Sequence, residues 1–509
     1  MTEPNGGTRR RTVAVVGAGI TGLVAAHELR RRGIDVTVFE ASDHSGGVIR
    51  TTHTDGFLAE HGPNSFVTSA PVDALLAQLD LQGDVVEANP DANRRYLVRQ
   101  RKLVPFPLTP PAMLGTRLFS LRAKLRVLME PLVKRRTATG DESVASFVRR
   151  RMGPEVLDYA VDPFISGIFA GDPERLSMAH AFPRVQSLEE RYGSLSKGLM
   201  LQRRDARRAA ATARADGRSA ALEETAATPA QAAAQAAAQA AVPAAAAAQA
   251  AAPSPTRSRL ISFIDGMQTL TDALEASLDG AVRLGCPVRL LHREGARWMV
   301  DTGQDGAASV QAFDAVVMAT PAHALSAMEL PGDMRQLSRP IENVEYPPVS
   351  TLTLGFRRAD VAHPLDGFGM LVPGVERETI LGALFSTSLF PDRAPADHVV
   401  ITCFVGGSRT PELARESTEQ VVRRVCHELR DLVGASAAPV FTHHIFWPRA
   451  IPQYTVGYQT VKTAADATEA ANPGLYLGGN YRNGVSVGDC VASGQQIAGR
   501  VERYLTQAV

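Results

Sequence analysis

A turn of closely spaced glycines, Gly17-Ala18-Gly19-Ile20-Thr21-Gly22, constrains this chain more than any other feature. It follows the β-branched run Thr12–Val16, which is typical of a buried strand, and it opens a helical pattern at residues 23–32. A second β-branched run, residues 36–39, ends at Glu40. This succession is a βαβ unit of about 30 residues, the context in which such glycine spacing predicts a dinucleotide-binding turn.

Each part of the turn has a physical task in such a unit. Gly17 allows the tight turn after the strand, Gly19 lets the backbone approach a pyrophosphate, and Gly22 lets the helix pack closely on the strand. The phosphates then lie at the positive end of the helix. Glu40 is placed to accept hydrogen bonds from a ribose 2′-hydroxyl. The glycine pair Gly46-Gly47 follows and predicts a second close approach to an extended cofactor.

The C-terminal region carries two further glycine-rich segments. Gly478-Gly479-Asn480 follows a short buried strand pattern at Leu475–Leu477, and Gly484 to Asp489 leads into a last helix predicted over residues 489–504. A helix N-terminus favours negative charge, so this loop could stabilise a reduced flavin ring. Cofactor contacts at both ends of the chain favour FAD over NAD.

Composition narrows the alternatives. A chain of 509 residues predicts two or three domains, and a net charge of +1 gives no global electrostatic reason to bind nucleic acid. The four cysteines form no CxxC, and no His/Cys cluster has the spacing of a zinc site, so we expect reduced thiols and no metal. With no signal-peptide pattern, the sequence predicts a cytoplasmic protein.

The periodicity between the two glycine-rich ends predicts a helical region followed by a mixed sheet. Helical patterns cover residues 118–136, 144–151 and 154–164. Strand patterns cover residues 287–291, 297–301, 315–318, 349–356, 379–386 and 399–405.

Residues 203–258 differ in composition from the rest of the chain. The segment opens with arginine pairs and continues as Ala/Gln low complexity at residues 230–252, interrupted by prolines. We interpret it as a disordered, partly helical insertion without a catalytic role.

Deleting residues 210–252 is therefore expected to leave flavin content and turnover nearly unchanged. The composition cannot build a core, and the entropic cost of closing a loop depends only weakly on its length. The two measurements are the flavin-to-protein absorbance ratio and the turnover rate of the shortened chain. Loss of either would show that the segment has a structural or catalytic role.

Five segments give the chain a specific resemblance. They are Glu60-His61-Gly62-Pro63-Asn64-Ser65-Phe66, Gly167-Ile168-Phe169-Ala170-Gly171-Asp172-Pro173, Pro364-Leu365-Asp366-Gly367-Phe368-Gly369-Met370-Leu371-Val372-Pro373, Ile451-Pro452-Gln453-Tyr454 and Gly488-Asp489-Cys490. With them the chain resembles the flavin-containing amine oxidase superfamily and, within it, the oxygen-dependent porphyrinogen oxidases of haem biosynthesis. The first segment is generic to many flavoproteins, whereas the second and third are much more specific.

The resemblance implies an α/β fold with a Rossmann-type FAD-binding lobe built from discontinuous segments, a mixed α+β substrate lobe and a helical subdomain. The FAD-binding lobe would comprise residues 1–88, 259–322 and 465–509. The substrate lobe would comprise residues 89–108, 182–202 and 323–464, and the helical subdomain residues 109–181.

The resemblance also implies the site residues, carried over by position. FAD would be held by Gly17, Ala18, Gly19, Ile20, Thr21, Gly22, Glu40, Ala41, Gly47, Gly62, Pro63, Asn64, Ser65, Val288, Trp447, Val485, Ser486 and Val487. The substrate would contact Arg95, Gly167, Phe368, Leu371, Leu384 and Phe404. Arg95 would bind a propionate, and the carbonyl of Gly167 would face the macrocycle nitrogens. Neither the sequence nor the resemblance supplies a catalytic acid or base.

The implied reaction is an FAD- and oxygen-dependent, six-electron oxidation of a porphyrinogen. The Ala-rich insertion and the use of Arg over Lys are typical of a high-GC bacterium. The resemblance to the family members of Gram-positive bacteria then implies coproporphyrinogen III, oxidised to coproporphyrin III with release of hydrogen peroxide, and protoporphyrinogen IX is the alternative. An amine oxidase, a carotenoid-type desaturase and a non-catalytic tetrapyrrole carrier are more distant alternatives. The expected partners are the porphyrinogen and dioxygen, a peripheral contact of the helical subdomain with the inner face of the membrane, and the next haem-pathway enzyme as recipient of the product.

Overall fold

In a computed structural model of the chain, residues 10–138, 140–202, 204–205, 259–303 and 309–507 are described. Apart from residues 204 and 205, the Ala-rich insertion therefore lies outside the described residues.

The first glycine turn belongs to a five-stranded sheet in which every pair of neighbouring strands is parallel. Its strand order is Val282–Arg283, Asp35–Phe39, Thr12–Val16, Ala315–Met318 and Leu475–Leu477. Parallel sheets are covered on both faces, which explains the unbroken apolar run of the central strand. The helices Ile20–Arg31 and Val487–Gln507 pack against each other in the core of this sheet, so the two ends of the chain meet there.

A seven-stranded sheet forms the second large element. Its strand order is Phe441–Trp447, Val349–Arg357, His398–Gly406, Ile380–Phe385, Gly367–Leu371, Arg94–Arg99 and Lys102–Pro105. All neighbours are antiparallel except Gly367–Leu371 and Arg94–Arg99, which run parallel. The helix Thr418–Val433 covers one face with a shared apolar core. The other face carries the candidate site.

A group of helices between residues 110 and 192 packs around its own apolar core. They are Pro110–Gly115, Leu121–Leu128, Val144–Arg151, Pro154–Val156, Asp162–Phe169, Met178–Ala181 and Pro183–Tyr192, with a 3₁₀ turn at Glu130–Leu132 and a π turn at Leu157–Val161.

The prediction of one helix over residues 118–136 is wrong in extent. The helix begins only after Ser120, whose side chain accepts a hydrogen bond from the amide of Ala123 at 3.2 Å. It ends at Leu128, because Pro131 lacks the amide that would continue the hydrogen-bond ladder.

The remaining strands form three small sheets. In these sheets Arg297–Asp301 pairs with both Leu290–Glu294 and Val310–Phe313, Thr51–Thr54 pairs with Phe57–Glu60, and Leu260–Phe263 pairs with both Phe66–Val67 and Val85–Glu87. The strand predicted at 287–291 begins later, at Leu290, because Pro287 cannot donate to a ladder.

Further helices connect these sheets. They are Ala70–Gln78, Gln268–Ala276, Gly332–Glu342, Ser386–Leu389, Pro411–Ala414, Gln459–Ala471 and Asn480–Asn483, with 3₁₀ turns at Leu81–Gly83, Ala322–Ala327, Arg358–Asp360 and Gly374–Glu376.

The expected fold class, α/β with a parallel sheet assembled from distant segments, is confirmed. The boundaries assigned to the lobes stay predictions. Within the described ranges, no helix is both long and apolar enough to cross a membrane. In the same ranges, no group of three or more His, Cys, Asp or Glu side chains could hold a metal ion.

Candidate active site

The glycine turn has the close packing that its sequence predicts. Gly17 has a φ of +100°, and its amide donates to the carbonyl of Phe39 at 2.8 Å, which fastens the turn to the neighbouring strand. A Cβ added to Gly22 would collide with the carbonyl oxygen of Gly17. The first helix can therefore lie this close to the strand only with glycine at position 22.

Gly19 has a different environment. A Cβ added there would meet no atom within 4 Å, and no side chain caps the helix Ile20–Arg31 that follows. The amides of the first helical turn therefore face unfilled space beside the positive end of the helix dipole. We call this region, formed by Ala18, Gly19, Ile20, Thr21 and Gly22, the cradle; its geometry is compatible with the predicted binding of a pyrophosphate.

The second glycine pair lies directly against this cradle. The amide of Gly46 donates to the carbonyl of Ala18 at 2.8 Å, and a Cβ added to Gly47 would lie 3.5 Å from the Cα of Gly19. The backbone of Gly46-Gly47 thus lies close to the backbone of Ala18 and Gly19, on the side where the second approach to the cofactor is predicted.

Glu40 lies at the end of the cradle where the adenosine is predicted to bind. One carboxylate oxygen accepts from the amide of Ala18 at 2.7 Å, and the other accepts from the amide and hydroxyl of Ser42 at 2.9 and 2.8 Å. A carboxylate offers about four acceptor sites, so capacity remains for a ribose hydroxyl. The amide of Cys286 donates to the backbone carbonyl of Glu40 at 2.7 Å, which brings buried Val288 to this end, where Ala41 is exposed.

Residues 62–65 extend the cradle toward the seven-stranded sheet. A Cβ added to Gly62 would collide with the carbonyl of Val48, so this segment lies against the one that follows Gly47. Pro63, Asn64 and Ser65 are half-buried. The indole N–H of Trp447 donates to the carbonyl of His61 at 2.8 Å, which fastens the edge strand of the seven-stranded sheet here.

The C-terminal loop closes the cradle from the other side. The Ser486 hydroxyl donates to the carboxylate of Asp489 at 2.7 Å and accepts from the Asp489 amide at 3.1 Å, which begins the last helix at Val487. Half-buried Val485 packs against both the helical core and the core beneath the parallel sheet. The sequence placed the start of this helix two residues later, because it did not include the Ser486 cap.

The register of the seven-stranded sheet brings the predicted substrate residues to one face. Residues directly paired across strands project to the same side. The pairs along this row are Arg95 with Gly369, Gly369 with Leu384, Leu371 with Gly382, Gly382 with Phe404, Phe404 with Thr351, and Val349 with Trp447. Leu371, Leu384 and Phe404 are only half-buried, although they are apolar.

Gly167 faces this row from the helix Asp162–Phe169. A Cβ added to Gly167 would lie 2.5 Å from a methyl carbon of Leu371, so the helix backbone and the sheet face approach closely. The helix ends at Ala170, whose φ is +47°. The carbonyl of Gly167 thus belongs to the last turn, where the helix dipole is negative and favours hydrogen-bond donors.

Arg95 lies at the margin of the apolar row. Its guanidinium carbon is 5.5 Å from the ring centre of half-buried Phe368, which packs in turn beside Leu384. The side chain is accessible to solvent, yet desolvation lowers the pKa of the Arg95 guanidinium. Because the Arg95 side chain is both accessible to solvent and surrounded by many protein atoms, it lies on the wall of a concave surface. Burial is the one cause of this shift, with no contribution from a carboxylate of the described residues.

Its neighbours on the same strand are already engaged. Arg94 forms an ion pair with Asp366, and Arg99 forms one with Glu155 at 3.1 Å. Arg99 also lies over the ring of Tyr159, at 4.2 Å from its centre. Arg95 thus differs from the other two arginines of its strand in having its charge available for a ligand.

Three titratable groups at the junction of the cofactor and substrate segments were not predicted from the sequence. Burial raises the pKa of Glu60 to about 7, and its carboxylate lines a cleft shared with Asn64 and Leu384. The Nε2 atoms of His61 and His443 lie 3.2 Å apart, and burial, followed by His443, lowers the pKa of His61 to about 4. Glu60 and His61 are the first two residues of the flavoprotein segment Glu60–Phe66, and their place in that segment was the one indication in the sequence that they lie near the site.

The parallel sheet, the uncapped helix and the three segments converging on it define an FAD-dependent oxidoreductase. The chain belongs to the family of flavin-containing amine oxidoreductases, whose pattern matches residues 20–502. The prediction of FAD as the cofactor is thereby confirmed.

Two relatives and one solved structure are similar over almost the whole chain. The chain is 34% identical to the mitochondrial protoporphyrinogen oxidase of Nicotiana tabacum, covering 97% of this chain and 95% of that protein. It is 27% identical to the coproporphyrinogen III oxidase of Bacillus subtilis (strain 168), covering 97% and 99%. A crystal structure of a protein from Exiguobacterium sp. 255-15 shares the fold with a TM-score of 0.74 at 22% identity, covering 98% and 100%.

Proposed function

We propose that this flavoprotein oxidises a porphyrinogen to a porphyrin in haem biosynthesis, with dioxygen as the final acceptor. The observation that carries the proposal is the half-exposed apolar row Leu371, Leu384 and Phe404, which faces Gly167 and is bordered by the available guanidinium of Arg95. A porphyrinogen is a large apolar ring with carboxylate arms, so it needs apolar walls and few cations. The names of the relatives support the same substrate class.

The residues of this chain bind and orient the ring. The apolar row packs against the ring, and Arg95 binds a propionate. The negative end of the helix Asp162–Phe169, which lies beside Leu371, favours the pyrrole N–H donors. When bound, FAD supplies the acceptor for hydride from the methylene bridges, and dioxygen restores it with release of hydrogen peroxide. Three rounds remove six electrons, so the ring must stay aligned or rebind between rounds.

The proposal is tested by incubating purified protein with a porphyrinogen under air. Fluorescent porphyrin and peroxide should accumulate together at a rate proportional to enzyme concentration. A non-catalytic tetrapyrrole carrier would produce neither above the rate of spontaneous oxidation.

We propose protoporphyrinogen IX as the preferred porphyrinogen. The resemblance implied coproporphyrinogen III as the substrate. Coproporphyrinogen III carries four propionates, whereas protoporphyrinogen IX carries two. The ion pairs of Arg94 with Asp366 and of Arg99 with Glu155 leave Arg95 as the available guanidinium on its strand, which supports a substrate with fewer carboxylates. The higher identity to a protoporphyrinogen oxidase supports the same order.

Comparison of kcat/KM on the two porphyrinogens in parallel decides between them. We expect the higher value for protoporphyrinogen IX. A higher value for coproporphyrinogen III would reverse the order and would support the interpretation from the sequence, while leaving the reaction class unchanged.

An amine oxidase is the nearest alternative. The pocket of such an enzyme would need an aromatic cage around a neutral amine. The rings of Tyr454 and Tyr458 lie with centres 4.6 Å apart, but both side chains are buried. Their hydroxyls donate to the backbone carbonyls of Asn480 and Tyr481 at 2.5 and 2.6 Å. This tyrosine pair belongs to the protein core, which argues against a cage.

We also propose a peripheral membrane contact through the helix Leu121–Leu128. This amphipathic helix and the turn after it expose large apolar side chains, with Leu121 83% and Leu132 76% accessible, beside several cations. Exposed leucines flanked by cations favour the surface of an anionic bilayer. Transfer of the product to the next haem-pathway enzyme stays a prediction.

Vesicles that contain anionic lipid should co-sediment the protein at low salt, and added salt should release it. The double variant Leu121→Asp/Leu125→Asp should lose this binding. Val375→Asp/Val440→Asp, which alters two exposed apolar residues outside this helix, is the matched control and should still sediment. Equal sedimentation of both double variants would refute the assigned surface.

A further inference from the structure

We propose that Arg409, together with Asp162, fixes the position of Gly167 against Leu371 in the apolar row of the seven-stranded sheet. Arg409 is in this view a positioning residue for the macrocycle, acting through the helix Asp162–Phe169. The inference rests on porphyrinogen oxidation as the proposed function.

The first end of the helix is held by one guanidinium. Arg409 donates to the carboxylate of Asp162 at 2.5 Å and also to the hydroxyl of Ser166. The second carboxylate oxygen of Asp162 accepts from the amide of Gly374 at 2.7 Å. Asp162 is buried, so these contacts are shielded from water and from salt. A Cβ added to Gly374 would collide with the guanidinium, so this position leaves space for it.

The second end of the helix is held by neighbours of the same arginine. The amide of Ser408 donates to the carbonyl of Ala170 at 2.8 Å, and a Cβ added to Gly407 would lie 2.5 Å from that same carbonyl oxygen. The side-chain amide of Gln453 donates to the carbonyl of Phe169 at 2.8 Å. Residues 407–409 therefore fasten both ends of one helix.

These contacts connect the helix to the strands that carry the substrate residues. Residues 407–409 directly follow the strand His398–Gly406, which carries Phe404. Gly374 lies three residues after the strand Gly367–Leu371, whose last residue is Leu371. The separation of Gly167 from Leu371 and Phe404 is therefore set by the ion pair and its neighbours. A fixed position of the Gly167 carbonyl beside the apolar row holds a macrocycle in one orientation, which repeated oxidation of the same ring requires.

The irregular backbone before the helix is consistent with this role. The π turn Leu157–Val161 runs directly into Asp162, and such turns occur often at functional sites because they shift the side chains that follow. Here the turn delivers the Asp162 carboxylate to Arg409 and Gly167 to Leu371 on the same helix.

The test compares Arg409→Gln, Arg409→Lys and Ser166→Ala in the FAD-loaded enzyme. We measure KM, kcat, flavin content and, by fluorescence quenching, the Kd of the porphyrin product. Arg409→Gln should raise KM and the product Kd about tenfold, because it removes a charge-assisted fork that holds the helix carrying Gly167. Arg409→Lys should recover part of this, and Ser166→Ala should cost about two- to threefold, since the ion pair remains. Flavin content should not change.

Arg149→Gln is the matched control, because it breaks an exposed ion pair with Glu174 in the same group of helices. It should leave KM and the product Kd unchanged. Wild-type KM and product Kd in both Arg409→Gln and Ser166→Ala, with only thermal stability lowered, would overturn the inference. If Arg409→Gln does not fold, Ser166→Ala decides alone. A wild-type protein that oxidises no porphyrinogen would overturn the proposed function. The porphyrin Kd of the variants, compared with that of the wild type, would still test the positioning role of Arg409.

Discussion

Replacing Gly19 with valine is expected to give a folded but colourless protein that retains little or no FAD. The position has no protein atom within 4 Å of an added Cβ, so the side chain can be accommodated in the absence of cofactor. The valine side chain would occupy the space beside the uncapped amides of the helix Ile20–Arg31, where the pyrophosphate is predicted to bind. The flavin-to-protein absorbance ratio and the circular dichroism spectrum measure the two parts of this expectation.

Two other glycine variants serve as controls for the Gly19 result. Gly83→Val places the same side chain at an exposed position that is also free of contacts, and it should keep full flavin content. Gly22→Val should impair folding itself, because its Cβ would collide with the carbonyl of Gly17. Full flavin occupancy in Gly19→Val would contradict the assignment of this turn to the cofactor.

The parts of the fold that local sequence determines could be predicted closely. The strand Thr12–Val16 and the helix Val144–Arg151 were predicted with the bounds that the structure shows. Local predictions failed where one residue ends or begins an element, as Pro131 does for the helix Leu121–Leu128 and Ser486 for the last helix. Caps and proline breaks act within one turn, so periodicity over a longer window does not resolve them.

The substrate face could not be derived from local patterns. Arg95 and Phe404 are more than 300 residues apart in sequence and meet on one face only because of the strand order of the seven-stranded sheet. Half-exposed leucines in a strand are indistinguishable in sequence from buried ones. The resemblance named these residues, but the register explains why they share a face.

The ion pairs of the strand Arg94–Arg99 were a second feature that could not be predicted from the sequence. The basic run from Arg94 to Lys102 gave no reason to separate Arg95 from its neighbours. The partners of those neighbours, Asp366 and Glu155, lie in distant segments and leave Arg95 as the available charge. The buried carboxyl of Glu60 was missed for a similar reason, because its burial depends on tertiary contacts with Met267 and Thr51.

Replacing Arg95 with alanine is expected to lower kcat/KM for a porphyrinogen by roughly ten- to hundredfold. The proposed contact of Arg95 is a charge-assisted, bidentate hydrogen bond to a propionate, and such a contact contributes on the order of 1.5–3 kcal/mol. Arg95→Lys should recover only part of the loss, because a point charge cannot reproduce the planar fork. Steady-state kinetics on both porphyrinogens measures the effect, and FAD content should stay unchanged in both variants.

The division of the loss between KM and kcat reports what Arg95 does. A rise in KM alone means that the propionate is bound equally in the ground and transition states, whereas a fall in kcat means that the contact also aligns the methylene carbon. Coproporphyrinogen should not recover by shifting onto Arg94 or Arg99, since both are held in ion pairs. Arg94→Ala removes the same charge from the opposite face of the strand and should have little effect. Wild-type kinetics of Arg95→Ala on both porphyrinogens would place the propionate elsewhere.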